Sequence, residues 1–441
     1  VIGGLMALAG RLERRAGLLG LVKLGNVALA MLWGFVVTFV FVRLLPIEEF
    51  RTFLLLIAFA NFTISAELGL SAIAYARLRR ARVSGEGTFD PAEVVALLWL
   101  LIGLVLLGAC LILLAMATGL LVTAHPVLFI AFYGVAAFNL LTLLARRALA
   151  AIDQNMWWEM LDGVRRVSGI ALLFAALGPL SILASVFIQL AVAVAVLAVA
   201  LATVHQVLGM RRGQWLAPRT GLAQVRAHYL PDFGRTAVLT LCDVGAYNAP
   251  YFTIAAVTPD PRPLLLFDLV FKLSRALSAA IRAVAEAVLP GLTRAAFQGD
   301  RKGVRAGIAR CLGWSLATTM AAALALLVAG KLVAHIIFDG NLDLQDTEIH
   351  MVILLLFGLS LICVSVYLQW GLGRFGALQR PSLLLLTGSL LSVPLAVPLH
   401  QSLGWTFSAG FLALYAAVHV SLGLVHGGML MRLSGGPVSK P

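Results

Sequence analysis

Five ionisable residues share one apolar run. In FDLVFKLSRALSAAIRAVAEAVLP, residues 267–290, Asp268, Lys272, Arg275, Arg282 and Glu286 interrupt a segment long enough to cross a bilayer. At about 100° per residue they fall within roughly 40° either side of one line, which makes a single polar stripe on a helix. Asp268 and Glu286 lie 18 residues apart, about 27 Å of helix rise. A stripe of that length runs through nearly the whole hydrocarbon thickness and cannot face lipid throughout. Asp268 and Lys272 are four residues apart, as are Arg282 and Glu286, so each pair can neutralise itself along the helix. Arg275 is left over near the midplane, where an uncompensated arginine costs on the order of 3 kcal/mol or more.

Two chemistries fit this arrangement. The preceding segment, YLPDFGRTAVLTLCDVGAYNAPYF, places Asp232, Arg235 and Asp243 on one side of a helix, and its Pro231 and Pro250 are expected to break or kink it. Asp243 could pair with Arg275 and simply fix helix packing. Alternatively, a water-filled, net-cationic cavity could use Lys272, Arg275 and Arg282, with Arg235 as a further cation, to hold an anionic substrate. The carboxylates Asp243, Asp268 and Glu286 would then handle coupling or gating. Arginine suits phosphate in particular, because its planar fork bonds two oxygens at once.

The elements that must carry these residues are transmembrane helices. The chain has 441 residues, 61% of them hydrophobic and 12% charged, with a mean hydropathy of +0.98. That balance excludes a soluble globular domain and defines a polytopic, all-α integral membrane protein. Twelve apolar segments are expected, at roughly 20–42, 52–76, 93–117, 126–145, 164–178, 181–204, 231–257, 263–289, 311–334, 349–370, 382–399 and 405–425. The basic patch RLERR precedes a first run too long for a signal peptide and without a small-residue cleavage site, so that run is expected to remain as a span. With the N-terminus cytoplasmic, the inside segments carry 25 Lys and Arg and the outside segments 4. This asymmetry places both termini in the cytoplasm.

The net charge of +13 then reflects topology and attraction to anionic lipid headgroups rather than nucleic-acid binding, since the basic residues are scattered over many short segments. Cys110, Cys242, Cys311 and Cys363 lack paired spacing and the histidines form no HExxH arrangement, so neither a disulfide framework nor a metal site is expected. A cytoplasmic loop at 205–228 splits the spans six and six. The expected organisation is an N-terminal lobe at 1–210 and a C-terminal lobe at 211–441, pseudo-symmetric about an axis along the membrane normal.

The first two spans, FVRLLPIEEFRTFLLLIAFANFTISAELGLSAIAYARLRR, resemble the opening signature of the polysaccharide-transporter, Wzx-like branch of the multidrug/oligosaccharidyl-lipid/polysaccharide (MOP) superfamily. Pro46 stands where the family commonly has Gly-Pro, Arg51 where it has Gly, and Glu67 takes the acidic position of the turn ahead of Gly69. The eighth span is similar to the family's helix ending in Leu-Pro, a basic residue and Gly-Asp, here Pro290, Arg294, Gly299 and Asp300. The resemblance implies a flippase in a bacterial inner membrane, moving a polyprenyl-pyrophosphate-linked oligosaccharide to the periplasmic leaflet by alternating access of two six-helix lobes in a MATE/MOP-like fold. It implies a monomer without cofactors, coupled to H⁺ or Na⁺ if to any ion, working beside polysaccharide polymerase and export machinery. Glu67 joins the coupling or gating candidates.

Three alternatives stand beside it. A MATE-type drug or cation antiporter shares the fold, but an organic-cation site does not favour Lys272, Arg275 and Arg282 in one stripe. A lipid II flippase of the same superfamily usually has fourteen spans and a basic set in its first two. A membrane glycosyltransferase or polymerase would use Glu48 and Glu49 as catalytic carboxylates. Short outside loops and the lack of Walker A, DxD or GxSxG motifs weigh against enzymatic work.

Overall fold

The computed structural model describes residues 16–83, 89–216, 218–372 and 374–435. Every regular element among them is helical. The basic patch at 11–15 and Lys440 lie outside the described residues. Contacts divide the chain into two units, Val1–Leu241 and Cys242–Pro441.

In the first unit, α1 (Ala16–Leu44) is followed by a span made of two helices, α2 (Ile47–Ser65) and α3 (Leu70–Val83). The interruption is the AELGL turn. Leu68 has φ +51° and Gly69 φ +91°, and only glycine reaches the second value without strain. Glu67 accepts a hydrogen bond from the Ser71 backbone N–H at 2.8 Å and so caps α3. After α4 (Ala92–Ala117) a second span is divided into α5 (Pro126–Ala137) and α6 (Asn139–Ala151), then come α7 (Asn155–Ala175) and α8 (Ile182–Leu208). The core of this unit includes stacked Phe41 and Phe53, with ring centres 4.0 Å apart, and Phe132 set edge-on to Phe53 at 4.7 Å.

The division between units falls inside α9 (Pro218–Val257), and the second unit continues with α10 (Arg262–Phe297), α11 (Arg301–Ile337), α12 (Asp346–Gly371), α13 (Phe375–Leu403) and α14 (Phe407–Gly435). Gly299, at φ +71°, closes α10, and Asp300 caps α11 by accepting from the Gly303 N–H at 3.0 Å. Each of the twelve apolar segments is thus matched by a helix or a broken helix. Nine of these stretches are long and apolar enough to cross a membrane by length and composition. α7, α9 and α10 are not in that set: α7 and α10 carry several charges, and α9 carries Asp243 among Thr, Tyr, Asn and Pro residues.

Of the break or kink expected at the two prolines, the break is not formed: α9 continues through both Pro231 and Pro250. Pro250 has no N–H to offer the carbonyl of Ala246, four residues earlier. The Tyr415 hydroxyl donates to that carbonyl at 3.3 Å instead. A side chain from α14 therefore supplies the hydrogen bond that the proline removes, as neighbouring helices do within membranes.

Helices α12 and α14 meet through glycine. A Cβ built on Gly358 would lie 2.4 Å from the His419 carbonyl oxygen, and one on Gly423 would lie 2.8 Å from the Gly358 Cα. Backbone stands on that side in both cases, so no side chain can move aside. Small residues at such crossings let helices approach where no hydrophobic drive exists between them. Gly358→Ala is expected to destabilise the second unit by about 1–3 kcal/mol, seen as an earlier onset of thermal aggregation in detergent. Gly427→Ala, with nothing within 4 Å of its Cβ position, should leave that onset in place.

Candidate functional site

The stripe on α10 resolves into three parts with different surroundings. At its start Asp268 is buried. It accepts a hydrogen bond from the Tyr251 hydroxyl at 2.8 Å and forms an ion pair with Lys272 one turn along. The side chains of Lys272 and Asp268 are 11% and 1% exposed. Tyr251 is wedged edge-on against Phe267, with ring centres 4.8 Å apart. The charges are therefore closed off from water and cancel locally.

Arg275, in the middle, is exposed. Its guanidinium lies 5.8 Å from the centre of the Phe271 ring, and it makes no ion pair among the described residues. Arg282 and Glu286 close the stripe as a pair at 2.9 Å, with side chains 55% and 63% exposed. Such an exposed pair contributes little to stability and leaves both groups available to water or a ligand.

Asp243 is exposed on α9. Arg275 is a cation whose charge acts on it, yet the two do not form an ion pair. The direct Asp243–Arg275 bond of the packing reading is thus not made in this structure. Nearby, the Ser278 hydroxyl meets the Cys363 sulfur at 3.3 Å and the Tyr367 hydroxyl donates to the Ser278 carbonyl at 3.4 Å. The polar side of α10 is held by α12 there. The side chain of Arg235 lies outside the described residues. Glu67 stands in the α2–α3 turn, in the first unit.

The first unit holds charge that the segment boundaries conceal. The helix α7 begins at Asn155, well before the expected start at 164. Arg165 and Arg166 therefore sit at its middle. Without them the expected inside set would still hold 23 basic residues against 4. Asp162 is buried, and its carboxylate accepts from Arg165 Nη2 at 2.7 Å and from Arg166 Nε at 2.7 Å. Arg165 Nη1 also donates to Asn139 Oδ1 at 3.0 Å, at the junction of α5 and α6. Asn26 on α1 donates to the buried Glu159 carboxylate at 2.7 Å.

Two signals could have found this cluster. A fifth segment of 15 residues is too short for a hydrocarbon core of about 30 Å, so the helix must extend towards Asp162. Asp162 also stands three and four residues before the two arginines, at helix-face spacing. Buried carboxylates elsewhere have arginine partners too. Arg77 grips Glu93 at 2.9 Å, with the Tyr229 hydroxyl as a further donor at 3.0 Å, and Arg262 grips Glu348 at 2.8 Å. Among the described residues no group of three His, Cys, Asp or Glu is placed to hold a metal ion.

No family model and no curated protein matches the chain by sequence. Solved structures do match its fold. An inward-facing multidrug resistance MATE family transporter of the MOP superfamily superposes with a TM-score of 0.64 at 13% identity, covering 94% of this chain and 98% of that one. The eukaryotic MATE transporter AtDTX14 gives 0.61 at 13% identity, covering 97% and 99%. An outward-facing MATE family transporter of the same superfamily gives 0.60 at 13% identity, covering 95% and 94%. The chain therefore has the all-helical fold of the MATE transporters over nearly its whole length.

Proposed function

We propose that this protein is an alternating-access membrane transporter whose cargo is anionic, a polyprenyl-pyrophosphate-linked oligosaccharide carried from the cytoplasmic to the periplasmic leaflet of a bacterial inner membrane. The observation that carries the reading is Arg275, an exposed guanidinium midway along a helix in an apolar chain, engaged in no ion pair among the described residues. A charge held there without a partner is costly unless water and a ligand answer it. The diphosphate is the part of such a cargo that a bilayer rejects most strongly, and a guanidinium can bond two of its oxygens. The glycan needs only a hydrated volume, and the polyprenyl tail can stay in lipid.

Within this reading Arg275 is the central contact and Arg282 a flanking cation, with Arg235 a second-tier candidate. Lys272 takes a lesser part, because Asp268 already holds it. Asp243, Asp268, Glu286 and Glu67 remain the coupling or gating candidates, with H⁺ or Na⁺ as the ion. An enzymatic role is disfavoured, because the Glu49 carboxylate is already engaged by the Thr123 hydroxyl at 2.7 Å and the Ala124 N–H at 2.6 Å.

A second reading, a MATE-type antiporter of organic cations, draws on the likeness of fold and on the exposed Asp243 carboxylate. The two are separated by reconstituting the protein in proteoliposomes. One arm follows transfer of a fluorescent polyprenyl-pyrophosphate oligosaccharide between leaflets. The other follows uptake of a lipophilic cationic dye under an imposed H⁺ or Na⁺ gradient. Transfer of the lipid without dye uptake is the expected result, and dye uptake alone would replace the flippase reading with the antiporter.

A further inference from the structure

The first unit contains a cavity of about 50 Å³ whose polar lining is Trp33 on α1, Asn139 at the α5–α6 junction, Arg165 and Arg166 on α7, and Gln189 on α8. Gly169 opens it. A Cβ built there would lie 3.4 Å from Trp33 Nε1 and 3.5 Å from Gln189 Oε1, so a larger residue would fill the space these groups look into.

The bonding inside this cavity is lopsided. Arg165 is fully engaged, with Nε and Nη2 on Asp162 Oδ1 at 3.0 and 2.7 Å and Nη1 on Asn139 Oδ1 at 3.0 Å. Arg166 gives only Nε, to Asp162 Oδ2 at 2.7 Å, and among the described residues its two terminal amino groups make no hydrogen bond. The Trp33 ring is stacked on Phe132 with ring centres 6.2 Å apart, and its N–H makes no hydrogen bond among the described residues either. Gln189 is buried and uses its amide N–H on Ser185 at 3.3 Å. Two guanidiniums face one carboxylate, which leaves the pocket with one net positive charge. Donors outnumber acceptors, and a cation would meet repulsion from both arginines.

We propose that this pocket binds a tetrahedral oxyanion, a phosphate or diphosphate group, through the terminal fork of Arg166 and the indole N–H of Trp33. The fork can bond two oxygens of one phosphate and the indole a third. Arg165 and Asp162 position the fork: Asp162 takes Arg166 Nε, and Arg165 holds Asp162 in place against Asn139. The same chemistry could come from a free diphosphate or from a lipid headgroup. The proposal concerns a site in the first unit and does not depend on Arg275 or on the flippase reading.

The test is calorimetric titration of the purified chain in nanodiscs. One arm adds inorganic pyrophosphate, and the other uses nanodiscs containing polyprenyl pyrophosphate, with polyprenyl alcohol as the control. With Arg275→Ala as the background, which removes the anion contact proposed on α10, saturable, one-site binding is expected in at least one arm. In that background Arg166→Gln should weaken it at least tenfold and Arg166→Lys less, and Gly427→Ala, in the second unit, should leave it unchanged. Trp33→Phe keeps the stacked ring and removes only the N–H, and it should weaken binding severalfold even if Arg166→Gln does not fold. Binding of pyrophosphate names a soluble anion, and binding only of the lipid form names a headgroup. No binding in either arm by the folded Arg275→Ala background, or binding as strong as the background's in both Trp33→Phe and folded Arg166→Gln, would overturn the proposal.

Discussion

Arg275→Ala is expected to lower the initial rate of lipid-linked oligosaccharide transfer in proteoliposomes by roughly 10–100-fold, while the protein remains folded and monodisperse. The magnitude follows from the bond it would lose. A hydrogen bond to a charged partner contributes about 1.5–3 kcal/mol, and each 1.4 kcal/mol is about a factor of ten. The fold should tolerate the change because Arg275 is exposed and makes no ion pair among the described residues, so no buried carboxylate is orphaned by its removal. Arg275→Lys should recover part of the rate, since an ammonium keeps the charge but not the planar fork. Asp243→Ala adds a further discrimination. If Asp243 only offsets the Arg275 charge, the double variant Arg275→Ala/Asp243→Ala should transport better than Arg275→Ala. A double variant no better than the single one leaves Arg275 with the cargo. A wild-type rate in folded Arg275→Ala would remove this residue from the mechanism.

The helical class, and the approximate centre of each span, are legible in the sequence because a bilayer imposes one length and one composition on every crossing, while the starts of α7, α9 and α11 lie well before the expected boundaries. The stripe on α10 is legible for the same reason, since five charges stand out in an apolar run and their spacing fixes their common face. The in-helix pairs Asp268–Lys272 and Arg282–Glu286 also follow from spacing alone, and both are formed. What spacing does not carry is environment. Nothing local says that the first pair is buried under Tyr251 while the second stands in the open, because the difference is made by α9. Arg165 and Arg166 show the opposite failure. As a basic doublet at the edge of a short apolar segment they read as a cytoplasmic anchor, and only the full helix Asn155–Ala175 turns them inward onto Asp162. The proline in α9 likewise reads as a break until Tyr415, 165 residues away in sequence, is seen to satisfy the carbonyl it leaves.

The other large effect is expected at the buried pair. Asp268→Leu removes the carboxylate that both Lys272 and the Tyr251 hydroxyl use, leaving an ammonium 11% exposed with that neutralising bond gone. Breaking a buried ion pair from one side typically costs about 3–5 kcal/mol, and the variant should unfold at markedly lower temperature or fail to reach the membrane. The double variant Asp268→Leu/Lys272→Met removes both charges and fills similar volume, so most of the lost stability should return, as it often does when a buried pair is replaced by apolar residues. Its transport rate then decides what Lys272 does. If the pair serves packing alone, the refolded double variant should move cargo at close to the wild-type rate, and the phosphate contact is left to Arg275 and its exposed neighbours. If stability returns and transport does not, Lys272 or Asp268 acts on the cargo or its coupling ion, and the pair must open during the cycle. A double variant as unstable as Asp268→Leu alone would mean that the polar bonds to Tyr251, and not the charge balance, hold this part of α10 to α9.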